Sequence, residues 1–192
     1  MRLQRVLGLT LAAGVVTLGS VGVLTYRLVE QGKATANGVP PGVRSPTQTE
    51  VGQAAADAVL QWVLPDLDGR SQTIAQWRGK VLVVNFWASW CAPCIEEMPA
   101  FSRLHERYAS QGVQFVGIGM DESEPMQRFV QARPVSYPLL AATPEVSAAP
   151  ALPMSGLPLT LVIDRDGRLE MSRLGRLDEA RLEPVLRHLL AR

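Results

Sequence analysis

Two cysteines, the only ones in the chain, are separated by two residues at Cys91 and Cys94. A C-x-x-C pair places two thiols close enough to form and exchange a disulfide. An apolar run, Val81–Phe86, precedes the pair, and a helix-compatible stretch beginning at Ile95 follows it. Cys91 is therefore expected at a helix N-terminus, where unsatisfied N–H groups and the helix dipole lower a thiol's pKa. Cys94, one turn further, is placed to attack a disulfide formed at Cys91, which predicts thiol–disulfide exchange.

Composition excludes several other classes of protein. The chain has 192 residues and a net charge of +1, so nothing in its charge favours a nucleic-acid partner. Two cysteines cannot build a disulfide scaffold or a closed four-ligand zinc site. We expect no metal and no cofactor beyond a redox-active Cys91–Cys94 disulfide. Two soft thiolates that hold copper or zinc with outside ligands remain an alternative.

The N-terminus predicts a membrane segment. Arg2 and Arg5 precede a stretch without charge, residues 6–26, which as a helix spans roughly 31 Å, enough to cross a bilayer. We expect residues 1–26 to form an uncleaved signal anchor, a single transmembrane helix in the inner (cytoplasmic) membrane, with the catalytic domain facing the periplasm. The alternative is a cleaved signal, with a site near residues 34–36, and a soluble periplasmic protein.

The rest of the chain divides into a linker and one domain. Residues 27–56 contain Pro, Gly, Ser and Thr clusters that predict a flexible linker, and compact structure is expected over residues 57–192. Strands are predicted over residues 81–86, 113–119 and 159–163, helices after the first two, and a hairpin and a helix after the third. This order predicts an α/β fold, a central mixed β-sheet flanked by helices on both faces. Residues 141–157 receive no assignment.

The motif around the cysteines resembles a known family. Residues 84–94, Val-Asn-Phe-Trp-Ala-Ser-Trp-Cys-Ala-Pro-Cys, followed by Glu97 and Pro99, resemble the TlpA/ResA-like branch of the thioredoxin superfamily. The resemblance covers roughly residues 57–192 and implies a thioredoxin fold. It also implies a reductase of protein disulfides that a membrane thiol electron donor keeps reduced. The implied substrates are apocytochrome c or copper-site cysteines.

Glu97 is the candidate acid of the site. It lies one helical turn after Cys94 on the same side, where burial would raise its pKa and let it carry a proton to or from Cys94. Sequence position alone favours a solvated helix residue over a buried acid. The resemblance reverses this, since the matching glutamate of the family is buried near the thiols. Asn85 stands where cytoplasmic thioredoxins carry a buried aspartate, which leaves Glu97 as the acid.

The remaining candidate residues are implied to contact substrate. Leu157 and Pro158 fit the superfamily's cis-proline loop, whose backbone pairs with an extended substrate segment. Pro153 is a rival for the cis bond, with a poorer spacing to the next strand. Trp90 and Pro93 are expected at the rim of the thiols. Leu159 departs from the family pattern, which usually has a small polar residue or glutamate there.

Two other functions stay open at this point. A thiol peroxidase would need a threonine ahead of the cysteine and a nearby arginine, which residues 87–91 do not supply. A copper-binding assembly chaperone would need a further soft ligand, for which Met98 and Met154 are the candidates.

Overall fold

The computed structural model describes residues 47–147, 149, 152 and 155–192. Its strands are β1 (Val63–Pro65), β2 (Ser71–Thr73), β3 (Val81–Trp87), β4 (Val113–Gly119), β5 (Leu139–Ala141), β6 (Leu159–Ile163) and β7 (Leu169–Leu174). Its α-helices are α1 (Gln48–Val59), α2 (Ala92–Tyr108), α3 (Ser123–Ala132), the single turn α4 (Pro144–Ser147) and α5 (Glu179–Leu190). Short 3-10 turns cover Ile74–Trp77 and Ala109–Gln111.

The central sheet has five strands in the order β5-β4-β3-β6-β7, and β1 and β2 form a separate hairpin. β3 runs parallel to β4 and antiparallel to β6. β4 runs parallel to β5, and β6 antiparallel to β7. The three strands predicted from apolar runs are confirmed, and so is the mixed character of the sheet.

Side chains of the sheet point alternately into two cores, because successive residues of a strand face opposite sides. The thiol-side core contains both cysteines and packs against α2, α3 and α5; its larger members are Trp87, Met98, Phe101, Leu104, Phe115, Met126, Leu182 and Leu186. The opposite core packs against α1 and the hairpin; its larger members are Val59, Leu64, Ile74, Leu82, Phe86, Ile118, Leu140 and Leu161. Helices therefore cover both faces of the sheet, as predicted.

Helix α1 corrects the predicted linker. Thr47 caps it through a capping box with Glu50, and Ala55, Ala56 and Val59 are buried. The prediction that residues 27–56 form a linker is therefore wrong over 48–56, since small alanines give this helix an apolar stripe that a compositional criterion overlooks. Residues 27–46 lie outside the described residues.

The predicted N-terminal transmembrane helix, residues 1–26, also lies outside the described residues. Across residues 47–147 and 155–192, no helix combines the length and apolar character that crossing a membrane requires. Part of the unassigned stretch 141–157 is now explained, because β5 ends at Ala141 and α4 follows.

Parallel pairing brings the ends of β3 and β4 to one edge of the sheet. The two strands pair in register from Val81 with Val113 to Trp87 with Gly119. Beyond that point the N–H of Met120 donates to the carbonyl of Trp87, with 2.7 Å between N and O. Both loops therefore leave the sheet side by side, and the loop after β3 carries Cys91.

Candidate active site

The two cysteines stand where β3 turns into α2. Cys91 is the N-cap residue of the helix, and Cys94 lies in its first turn. A disulfide joins them, with their Cα atoms 5.3 Å apart. Cys91 is 5% exposed and Cys94 is 0% exposed. Of the pair, Cys91 therefore offers the surface that an incoming sulfur can reach.

The turn before Cys91 is fixed from two directions. The N–H of Cys91 donates to the carbonyl of Ala88 at 3.1 Å, within the turn itself. Both the N–H and the hydroxyl of Ser89 donate to Oδ2 of Asp121, in the loop after β4. The carboxylate of Asp121 thus links the two neighbouring loops at the sheet edge and holds Cys91 in place through Ser89.

Glu97 is buried on the inner side of α2, with 1% of its surface exposed. Its Oε1 accepts a hydrogen bond from Nδ2 of Asn85 at 2.7 Å, and its Oε2 accepts one from the N–H of Leu177 at 2.8 Å. Burial is the largest influence on its pKa, which is raised from an ordinary 4.5 to about 7. The two hydrogen bonds and the positive charge of Arg176 lower this pKa, but burial prevails. A carboxyl group with this pKa exchanges its proton near neutral pH.

Asn85 and Thr160 connect Glu97 to the sheet. They are opposite each other in the β3–β6 register, and Nδ2 of Asn85 also donates to Oγ1 of Thr160 at 3.1 Å. Both residues are almost completely buried, and neither side chain titrates near neutral pH. Among the groups bonded to one another here, Glu97 is therefore the one that can take up or release a proton.

The rim predicted to contact substrate is partly apolar and partly backbone. Trp90 is 70% exposed, which is unusual for a large aromatic residue. Pro93 is exposed, Leu157 is half-buried and Pro158 is buried. The Leu157–Pro158 peptide bond is cis, which is the geometry that the resemblance implies. That these four residues contact substrate stays a prediction.

No group of three or more His, Cys, Asp and Glu side chains that could hold a metal ion occurs among residues 47–147 and 155–192. Met98, a candidate soft ligand, is 2% exposed and packs within the thiol-side core. Met154, the other candidate, and Pro153, the rival cis-proline, lie outside the described residues.

Comparison with known proteins identifies the family. Residues 51–172 match the model of the AhpC/TSA family. The chain belongs to that family. It is similar to the thiol-disulfide oxidoreductase ResA of Geobacillus thermodenitrificans, with 30% identity over 144 residues, 74% of this chain and 78% of that protein. The corresponding protein of Halalkalibacterium halodurans is 31% identical over 133 residues, 69% of this chain and 75% of that protein.

A solved structure agrees with these relatives. The thiol:disulfide interchange protein of the thioredoxin family from Chlorobium tepidum superposes with a TM-score of 0.61 and 28% identity, covering 67% of this chain and 92% of that one. The thioredoxin fold and the thiol–disulfide oxidoreductase activity predicted from sequence are thereby confirmed.

Several residues of the site carried no recognised signal in the sequence. Leu177 contributes a backbone N–H from a position 80 residues after Glu97, so its side-chain type gives no indication of the contact. Thr160 meets Asn85 only through the antiparallel register of two strands. Asp121 was predictable in principle, since it follows β4 at the sheet edge to which β3 also delivers Cys91.

Proposed function

We propose that this AhpC/TSA-family protein reduces disulfides of protein substrates outside the cytoplasm. The observation that carries the proposal is the buried Glu97, bonded to Asn85 and Leu177 and lying three residues after Cys94 on α2. A static structural disulfide needs no buried acid of this kind beside it. A pair of thiols that forms and breaks its disulfide in every catalytic cycle does need a nearby acid, because protons are released and taken up in each cycle.

The exchange runs in two displacements. The thiolate of Cys91 attacks one sulfur of the substrate disulfide; a bond forms between Cys91 and that sulfur, and the other substrate sulfur leaves as a thiolate. Cys94, after losing its proton, attacks the sulfur of Cys91. The Cys91–Cys94 bond forms, the mixed disulfide breaks, and the second substrate sulfur leaves with its electron pair. Both substrate thiolates take protons from water.

Glu97 accepts the proton that Cys94 must lose. The thiol of Cys94 is buried, so water has no direct access to it. A carboxylate one helical turn away, with a pKa near neutrality, is matched to that transfer. The return of electrons from a membrane thiol donor reverses both steps and gives the proton back to Cys94.

Substrates are proposed to dock against the rim around Cys91. Trp90 and Pro93 offer an exposed apolar surface, and the backbone of Leu157 is proposed to pair with an extended chain, as the resemblance to the thioredoxin superfamily implies. Oxidised cysteines of apocytochrome c, before haem attachment, are the substrate that we test first, and copper-site cysteines are the second.

The proposed location is the inner membrane. The uncharged residues 6–26 are proposed to anchor the protein, with the thioredoxin-like domain on the periplasmic side, where protein disulfides occur. A membrane thiol donor would then reach the Cys91–Cys94 disulfide from the same bilayer.

The direction of electron flow is tested by equilibrating the purified full-length protein with glutathione and trapping free thiols by alkylation. We expect a potential more reducing than about −200 mV, as for proteins that reduce disulfides. A potential near −120 mV, the range of strong oxidants, would contradict a reductase.

A trapping variant tests the substrate. Cys94→Ser cannot complete the second displacement, so it should accumulate a mixed disulfide through Cys91 with an oxidised C-x-x-C-H peptide of the apocytochrome type. Cys91→Ser is the matched control and should trap nothing. Trapping by Cys91→Ser instead would assign the attack to Cys94 and overturn the proposed order.

A further inference from the structure

A cleft of about 390 Å³ opens beside Glu97, between α2 and the segment that joins β7 to α5. Its lining includes Glu96, Glu97 and Arg103 from the helix, and Arg176 and Leu177 from the joining segment. Leu177 is buried, and its N–H is the donor to Glu97. The backbone next to Arg176 is therefore fixed to the carboxyl group itself.

Arg176 is also held by its side chain. Its Nη1 lies 3.1 Å from Oε2 of Glu96, and the two side chains are 55% and 59% exposed. Ion pairs as exposed as this contribute little to stability. The pair nevertheless determines where the guanidinium lies, because Glu96 keeps it at the cleft that Glu97 lines.

Charged and titratable groups lie on several elements around Glu97. On its own helix these are Glu96, Arg103 and the two cysteines, which are joined in a disulfide. On the joining segment and α5 they are Arg176, Asp178 and Glu179, and before β5 it is Tyr137. Arg103 is paired with Glu179, with its Nη2 2.9 Å from Oε2. Burial raises the pKa of Tyr137, so that its hydroxyl is neutral throughout the physiological range. Asn85 and Thr160, which complete the surroundings from the sheet, carry no charge.

We propose that Arg176 is a positioning residue for the exchange reaction: held at the cleft by Glu96, it sets the charge state of Glu97 and so the rate at which Cys94 gives up its proton. The inference rests on the function proposed above, in which Glu97 accepts that proton. Arg176 touches neither sulfur and acts through Glu97 alone.

The positive charge of Arg176 favours the ionised form of Glu97 and so lowers its pKa, after the larger influences of the hydrogen bonds from Leu177 and Asn85. Without Arg176, Glu97 should stay protonated to higher pH, and less carboxylate would be available to Cys94. Without Glu96, the guanidinium loses the partner that holds it at the cleft, so less of its charge acts on Glu97. Both variants should therefore raise the pKa of Glu97, Glu96→Gln by less than Arg176→Gln because the arginine itself remains.

The test is a titration of the Glu97 carboxyl carbon by NMR in the oxidised full-length protein. Arg176→Gln should raise the midpoint by about 0.5 to 1 pH unit, and Glu96→Gln should raise it by a smaller amount. The rate of disulfide exchange at pH 6, where little of Glu97 is ionised, should then fall about three- to tenfold in Arg176→Gln. Arg103→Gln, which removes an arginine from the same cleft, is the matched control and should leave the midpoint unchanged.

The outcomes separate this inference from the proposed function. An unchanged midpoint in Arg176→Gln, or equal shifts in Arg176→Gln and Arg103→Gln, overturns the role of Arg176 and leaves exchange through Cys91 and Glu97 standing. A shifted midpoint without a change in exchange rate overturns the role of Glu97 as proton acceptor, and with it this inference. If Arg176→Gln does not fold, Arg176→Lys keeps the charge and should keep the wild-type midpoint, while a midpoint raised as for a lost charge would contradict the proposal.

Discussion

The two cores on opposite faces of the sheet differ in what they bury. The opposite core, against α1 and the hairpin, consists of apolar side chains such as Val59, Leu64 and Phe86. The thiol-side core packs around both cysteines, and Glu97 is buried on the same side of the sheet through its bond to Asn85. Both faces therefore bury apolar side chains, but only the thiol-side core also contains groups that can react or exchange protons.

Buried polar atoms that lack a hydrogen-bond partner also distinguish the two faces of the sheet. Among the described residues, the buried side-chain atoms without a hydrogen-bond partner are Oδ1 of Asn85, Nε1 of Trp87, Nδ1 of His105 and the hydroxyl of Tyr137. Their rings and chains lie on the thiol side, where Tyr137 packs against Phe115 and His105. Burying polar atoms costs stability when they lack partners. Functional chemistry and this cost are thus located on one face of the sheet.

The largest effects should come from removing one phenylalanine from each core. Phe86→Ala and Phe101→Ala both delete a fully buried ring, and each should destabilise the protein by about 3–5 kcal/mol. Only Phe101→Ala should also change the alkylation rate of the thiols, because Phe101 lies on α2 one turn after Glu97. Denaturant unfolding and thiol labelling below the unfolding midpoint measure the two effects. Equal changes in labelling by both variants would remove the distinction between the cores.

Glu97→Gln should change how stability depends on pH. A folded-state pKa of about 7, above the ordinary 4.5, means that the stability from protonated Glu97 is complete below about pH 4.5 and is lost as pH rises through 7. This pKa difference corresponds to about 3 kcal/mol. The variant cannot titrate, so its unfolding free energy should fall less than that of the wild type between pH 4.5 and pH 8.

The control for this comparison is Glu122→Gln, an exposed position just before α3. The unfolding free energy of this variant should vary with pH as that of the wild type does. If Glu97→Gln and Glu122→Gln both follow the wild-type curve, Glu97 behaves as a surface glutamate and the thiol-side core has no buried acid.

A smaller effect is expected at the loop junction. Ser89→Ala removes the hydroxyl that donates to Asp121 but keeps the N–H contact, so a loss of about 1 kcal/mol is expected. Ser136→Ala, whose hydroxyl donates to the carbonyl of Ser102 in the middle of α2, loses a comparable bond. Exchange rates should change only in Ser89→Ala. An identical exchange rate in both variants would show that the bond to Asp121 does not position Cys91.

Local pattern was enough to predict most of the fold. The apolar runs of β3, β4 and β6 are buried on both faces, so their sequence leaves little ambiguity. Helix α2 ends at Tyr108, and the 3-10 turn that follows it ends at Gly112, which adopts a left-handed conformation. Helix α1 was missed because its buried residues are mostly alanine and it follows a run of turn-forming residues.

The site was predictable only in part, for a physical reason. Cys91, Cys94 and Glu97 share one short helical segment, so helix geometry relates them to one another. The partners of Glu97 come from residues 12 and 80 positions away, and their meeting depends on strand register and loop path. The Arg176–Glu96 pair is equally remote, with no feature of either residue that distinguishes it from other surface charges.

The most direct test of the central claim is the relative reactivity of the two sulfurs. In the reduced full-length protein at neutral pH, a thiol-labelling reagent followed by tandem mass spectrometry assigns the label to Cys91 or Cys94. A sulfur at the helix N-terminus with some exposed surface should react at least about ten times faster than one that is fully buried. Equal rates at the two positions would contradict Cys91 as the attacking thiol and Cys94 as the resolving one.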